Sequence, residues 1–362
     1  MLFLISLLSF FLPTQLGLHL NNLSTTVYGF KIDYLTPTIY FTDVIIILII
    51  IFGVRHIKFN FKFVALIIFA ILNLLSSIYF IPSIYKWIKV FEMILLTLII
   101  LKNKKFDIFN NFVFPLSLSM IFVNILGVLQ FFNKGSINGI FYWIGERAYR
   151  FSDPNVSPFP YSTFSHSNSY AGFLLVFVIF LIQYRNKFNI KYFLLSFCLS
   201  IINLILTNSQ NVYLTIVLLI FIRYGKTAAF SLFALDMGAR FITHRIELIK
   251  ASFLMIKQNF WSGVGLNNFI INLPTVTNKF LNVWELQPVH NIYLLVFSET
   301  GIIGLLAFGY LLLSVLSIYS FPLIAVLISG LSDHYWLTLQ QNILLLVFVV
   351  VTSKLNKSKH TV

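Results

Sequence analysis

Four stretches of the sequence hold residue types that could do chemistry. The first is Pro288–Leu306, PVHNIYLLVFSETGIIGLL, where His290 and Asn291 precede an apolar run that contains Glu299, Gly301 and Gly304. An imidazole at the mouth of a membrane span can take a proton near neutral pH or donate a hydrogen bond. It can equally cap the span, and a carboxyl inside an apolar run can serve as a structural hydrogen-bonding group. The second stretch is Tyr161–Leu175, with His166 and Asn168 among hydroxyls. These side chains suit sugar hydroxyls, and Ser167 or Ser169 equally suits a helix N-cap. In the third, Gly238–Phe269, Arg240 and Arg245 have the forked geometry that fits phosphate or diphosphate. Anchoring to lipid headgroups would use them as well. Gly263 and Gly265 mark a tight turn after that segment. The fourth, Leu206–Tyr213, places Gln210 among polar residues between two apolar runs.

The sequence has no Walker A loop, HExxH, G-x-S-x-G or cysteine cluster, Cys198 being its only cysteine. Nor do its polar loops carry a D-x-D or E-x-D pair to hold a divalent ion. The expected chemistry needs no metal and no cofactor.

The elements that must position these residues are apolar helices. Of 362 residues, 59% are hydrophobic and 10% charged, and the mean hydropathy is +0.90. A soluble domain carries about 25% charged residues. The composition excludes a cytosolic enzyme, a disulfide scaffold and a disordered regulator. The predicted fold is an all-α, polytopic helical membrane protein with about 11–12 transmembrane helices. Eleven apolar runs lie near Leu2–Leu18, Thr38–Val54, Phe63–Ile81, Lys86–Leu101, Phe112–Phe132, Tyr170–Tyr184, Lys191–Thr207, Asn211–Arg223, Asn291–Leu313, Ser317–Leu331 and Tyr335–Thr352. The net charge of +14 does not form a nucleic-acid patch: fourteen of the 25 Lys and Arg residues sit in short clusters after apolar runs. Such clusters mark cytoplasmic loops and put both termini in the cytoplasm.

Five regions follow: N-terminal helices over 1–132, an external loop over 133–169, central helices over 170–235, a large external loop over 236–290, and C-terminal helices with a basic tail over 291–362. Orientation requires one more crossing between Lys226 and His290, and only the short Thr227–Leu235 is apolar enough to make it. The large loop contains an amphipathic helix, Phe241–Phe260. Its apolar stripe of Phe241, Ile242, Ile246, Ile249, Phe253 and Ile256 suits a membrane surface. Asp333 and His334 fall in the last external turn, beside Tyr335 and Trp336 as interfacial aromatics. Glu92 has Lys89 as a partner one turn away.

Together these stretches resemble the bacterial O-antigen ligase and O-antigen polymerase family. PVHNIYLLVFSETGIIGLL is similar to its His-Asn…Glu-x-Gly-x-x-Gly signature, and TFSHSNSYAGFLL to its TF-x-HPN-x-x-AGFL element, with Ser167 in place of Pro. HRIELIKASFLMIKQNFWSGVGLNNF resembles its arginine helix and Gly-x-Gly turn. The resemblance implies a glycosyltransferase at the outer face of the bacterial cytoplasmic membrane. It moves a glycan from a polyprenyl diphosphate carrier to a hydroxyl acceptor such as lipid A core, or, as a polymerase, to another repeat unit. A non-catalytic glycan carrier is the contrasting class. The resemblance assigns His290 to the acceptor hydroxyl and Arg245 to the leaving diphosphate. Arg240, Gln210, His166, Asn168, Asn291 and Glu299 join as substrate-binding candidates. Gln210 stands where the family usually carries an arginine, so a charge expected at the diphosphate is missing.

Overall fold

A computed structural model of the chain describes residues 1–23, 25–57, 61–148, 159–224, 239–277, 285–317 and 320–360. The anticipated crossing at Thr227–Leu235 lies outside the described residues. Among the described residues the fold is all-α, with two small two-stranded β pairs.

The helices follow the apolar runs closely. They are α1 Leu2–Phe11, α2 Phe41–Gly53, α3 Phe61–Leu75, α4 Phe80–Lys102, α5 Phe114–Asn133, α6 Ser167–Gln183, α7 Ile190–Leu206 and α8 Gln210–Tyr224. After them come α9 Ala239–Gln258, α10 Phe269–Val276, α11 Ile292–Val315, α12 Phe321–Ser329, α13 Tyr335–Thr338 and α14 Gln340–His360. A π-type turn at Phe109–Val113 extends α5 at its start. Among the described residues, two helices are long and apolar enough to cross a membrane, Phe109–Asn133 and Ile292–Val315.

Three runs differ from their expected form. The run Leu2–Leu18 is helical only to Phe11. Pro13 follows, and Gly17–His19 (β1) pairs antiparallel with Thr38–Tyr40 (β4), so backbone that would have continued a helix is spent on a strand. A smaller hairpin, Thr26–Val27 (β2) with Phe30–Lys31 (β3), closes the intervening loop. The run Ser317–Leu331 yields a helix of nine residues. Tyr335 and Trp336 are not interfacial but fully buried, and Trp336 Nε1 donates to Ser329 Oγ at 2.8 Å.

The main core joins α1, α2, α4, α5, α6, α12 and α14, with Phe112 stacked on Phe348 at 4.3 Å. A second core holds the helix that was expected to lie on a membrane. Leu248, Ala251 and Met255 of α9 are buried against Phe269 and Leu273 of α10, Leu295 of α11, and Ile32 and Leu35 of the N-terminal loop. The helix is thus docked on protein, and its outward face presents Ile246, Phe253 and Leu254. Glycine chemistry sets that docking. Gly301 interrupts α11 with φ +66°, and its Cα faces the Trp261 carbonyl with no room for a Cβ. Across the break, Val264 N donates to Ser298 O (2.9 Å), Gly265 N to Glu299 O (3.0 Å) and Ile302 N to Phe260 O (2.9 Å). The Gly-x-Gly turn therefore zips onto carbonyls that the broken helix releases. Asn73 secures the junction, donating to Ser262 O (2.7 Å) and Glu299 O (2.9 Å) and accepting from Trp87 Nε1 and Leu266 N.

Candidate functional site

His290 sits one residue before the N-cap of α11. Asn291 is that cap: its Oδ1 accepts from Tyr293 N and Leu294 N, each at 2.9 Å. Its Nδ2 donates to Leu331 O (3.0 Å), and Ile292 N donates to Gly330 O (2.8 Å). Both ends of the Asn291 amide, expected among the substrate-binding groups, are thereby engaged in positioning. What it positions is the turn after α12, and with it Asp333 and His334.

Around His290 the groups are close. Its Nε2 donates to Gln287 Oε1 at 3.1 Å, and its Nδ1 lies 3.5 Å from Asp333 Oδ1. That Nδ1 is buried and has no hydrogen-bond partner among the described residues. The His334 ring lies 4.9 Å from the His290 ring, tilted by 43°. Asp333 and His334 are both buried. Asp333 Oδ1 also accepts from His334 N (2.8 Å), and His334 Nδ1 meets Thr338 Oγ1 at 2.9 Å. Burial works against charge on Asp333, but the adjacent His290 and the charges of His334 and Arg245 outweigh it. They hold the carboxyl below the usual carboxylate range. Burial, then the charge of His290, pushes His334 down to about 3, so its ring is neutral at ordinary pH. Arg245, half-buried on α9, is close enough for its charge to act on both residues.

His166 approaches from α6. Its Nδ1 accepts from Asn168 N (3.1 Å), which makes His166 the N-cap in place of Ser167 or Ser169. Ser169 Oγ instead donates back to His166 O (2.7 Å). Asn168 enters this turn through its backbone N–H.

Beside this cluster opens a cavity of about 370 Å³. Its wall combines His166 and Gln287 with Tyr34, Tyr40, Tyr85 and Tyr161, and with Lys31, Lys86, Lys89 and Arg147. Sequence reading missed this wall, because it is assembled from the N-terminal loop, the start of α4, the loop before α6 and the start of α14. Arg147 is paired with Asp33, and Lys89 with Asp43 and with Glu92 (3.3 Å). Lys86 differs: its Nζ donates to Leu337 O at 2.6 Å, and no carboxylate of the described residues lies within ion-pair distance. Leu337 precedes Thr338, the hydroxyl that holds His334, so Lys86 stands next to the histidine cluster.

Two expected residues lie elsewhere. Glu299 is buried behind the cavity, where its Oε1 accepts from Phe269 N (3.3 Å) at the start of α10. It ties α11 to α10 and is absent from the cavity wall. Gln210 opens α8 and is exposed; its neighbour Asn211 donates to Ser329 O (3.2 Å) and accepts from Ser332 Oγ (2.6 Å). It therefore adjoins the turn that carries Asp333 without lining the cavity. The side chain of Arg240 lies outside the described residues, as do Arg150 and Asp153.

No curated protein matches the sequence. A family model described as O-antigen ligase matches residues 159–309, the segment that holds His166, Arg245, the Gly-x-Gly turn, His290 and the Gly301 break. Over residues 159–309 the chain is similar to the O-antigen ligase family, whose members are glycosyltransferase-like membrane enzymes.

Proposed function

We propose that the chain is a polytopic membrane glycosyltransferase that moves a glycan from a polyprenyl diphosphate carrier to a hydroxyl acceptor. The observation that carries this reading is convergence. His166 and Lys86 line the cavity, and His290, Asp333 and Arg245, from three other stretches, lie close enough for their charges to act on His166. The membrane reading rests on the helices themselves. Ile47, Ile51 and Phe52 of α2 and Phe61, Ile68, Ile71, Leu72 and Leu75 of α3 are all exposed, a surface that suits lipid. Every segment of the cavity wall falls on the side that the basic clusters assign to the exterior.

The reaction needs a base and a cation. A shift of its proton from Nε2 to Nδ1, directed at Asp333, lets His290 offer the Nε2 lone pair. The acceptor hydroxyl displaces Gln287 Oε1 there and gives up its proton as its oxygen bonds to the anomeric carbon. The bond from that carbon to the diphosphate oxygen breaks, and the growing negative charge falls to Arg245. Lys86 supplies positive charge that Gln210 does not. Lipid A core is the acceptor class for a ligase, and the tyrosine-rich cavity wall suits sugar rings.

The test is transfer in proteoliposomes from a polyprenyl diphosphate-linked glycan to a core oligosaccharide. The wild-type chain is expected to transfer, while His290→Ala and Arg245→Ala fold and do not. Full transfer by either variant overturns the mechanism. Product length separates a single attachment from chain extension.

A further inference from the structure

The contact between His290 and Asp333 is chemically incomplete. Nε2–H is committed to Gln287 Oε1, so the neutral ring carries a lone pair on Nδ1. That lone pair points at a carboxylate oxygen 3.5 Å away, and Nδ1 is buried without a hydrogen-bond partner among the described residues. An acceptor faces an acceptor. Such a pair calls for something positive between its members, either a proton or a metal ion.

The surroundings suit a metal ion. His290, Asp333 and His334 each offer one ligand atom, and these atoms all lie within 4.8 Å of one another. Tetrahedral zinc with bonds of about 2.0–2.1 Å places its ligand atoms about 3.4 Å apart. The His290–Asp333 separation of 3.5 Å already has that spacing, and His334 offers the third ligand atom within 4.8 Å of both. Two neutral imidazoles and one carboxylate select zinc-like ions over magnesium or calcium, which prefer all-oxygen shells. Both flanking ligands have a second shell that orients them, Gln287 on His290 and Thr338 on His334. The nearby charge of Arg245 opposes the ion and weakens the site.

We propose that His290, Asp333 and His334 form a binding site for a zinc-class divalent ion, which occupies the His290 lone pair and blocks transfer reversibly. The ion is thus an inhibitor that competes with the proton for one position. Binding is independent of the assigned reaction, because it is read without any glycan substrate.

The experiment uses the full chain, purified in nanodiscs, stripped of metal and titrated with Co²⁺, whose visible d–d bands report four-coordinate geometry. One ion per chain with strong bands is expected, and Zn²⁺ should displace it. Asp333→Asn and His334→Gln should each weaken binding about tenfold or more. X-ray absorption on the wild-type protein loaded with Zn²⁺ should show two imidazoles and one carboxylate, and needs no substitution. Absent bands, bands of equal strength in both variants, or a shell without two imidazoles would overturn the site and leave a proton as the only bridge. If Co²⁺ binds as expected while the wild type transfers no glycan, the functional reading fails and the metal site stands.

Discussion

Two charged clusters lie close to the same cavity, and they are built on opposite terms. In the first, Lys89 is closed between Asp43 and Glu92, Asp43 accepts from Tyr40 N and Gln340 Nε2, and the group ties α2, α4 and α14 together. Its charges are consumed in holding helices. In the second, His290 keeps an unpartnered nitrogen, Asp333 stays ionised in a buried turn, and Arg245 faces both without an ion pair among the described residues. Each cluster leaves one buried atom without a hydrogen bond among the described residues, Glu92 Oε1 and His290 Nδ1, but only the first holds its cation in ion pairs. The two clusters should therefore fail in different ways.

Lys89→Met should produce the largest effect, and on stability. It leaves two buried carboxylates without their cation, a loss of about 3–5 kcal/mol. Detergent-solubilised yield and melting temperature should fall together. Retention of both would mean that the first cluster is not scaffold. His290→Ala should reverse the pattern, lowering transfer about 10²–10⁴-fold at unchanged melting temperature.

The third test uses pH. His334 has a folded value near 3, far below the 6.5 of a free imidazole, so between those values the unfolded chain binds the additional proton. The stability from keeping this ring neutral is fully present above pH about 6.5 and is lost as pH falls toward 3. Melting curves of the wild type should shift down over that range, and His334→Gln should flatten the slope. An unchanged slope would show that the ring is not held neutral by burial. The smallest effect is expected from Gln210→Arg. That side chain is exposed at the edge of the Asp333 turn, so an added guanidinium should tighten donor binding only a few-fold, by about 1 kcal/mol. Donor titration in nanodiscs reads it, and a loss of affinity would remove Gln210 from the diphosphate's neighbourhood.

The helices were legible because long apolar runs leave few alternatives, and α2, α5, α7, α8 and α11 fall within a few residues of their runs. Legibility failed where backbone pairing decided the outcome, as in residues 12–18, whose apolar character says nothing of the strand pairing with Thr38–Tyr40. Residue type and position single out His290, Arg245 and His166 as candidates, and the fold brings them near one another. Asp333 and His334 were not assigned a role, because their relation to His290 spans some forty residues and depends on the Asn291 amide reaching Leu331. Glu299 and Asn291 show the converse. Their side chains point to chemistry by type, but local backbone donors and acceptors claim them first. Lys86 lay inside what reads as the start of a span, where a lysine passes for an interfacial anchor.

The clasp between Asn291 and the Gly330–Leu331 turn bears on modularity. Residues 159–309 carry His290, but its acid stands at 333, delivered through the Leu331 and Gly330 carbonyls. A chimera that transplants the 159–309 segment alone would carry the histidine into a host and leave its acid behind. Grafts intended to exchange acceptor preference must take the turn after α12 as part of the same cassette.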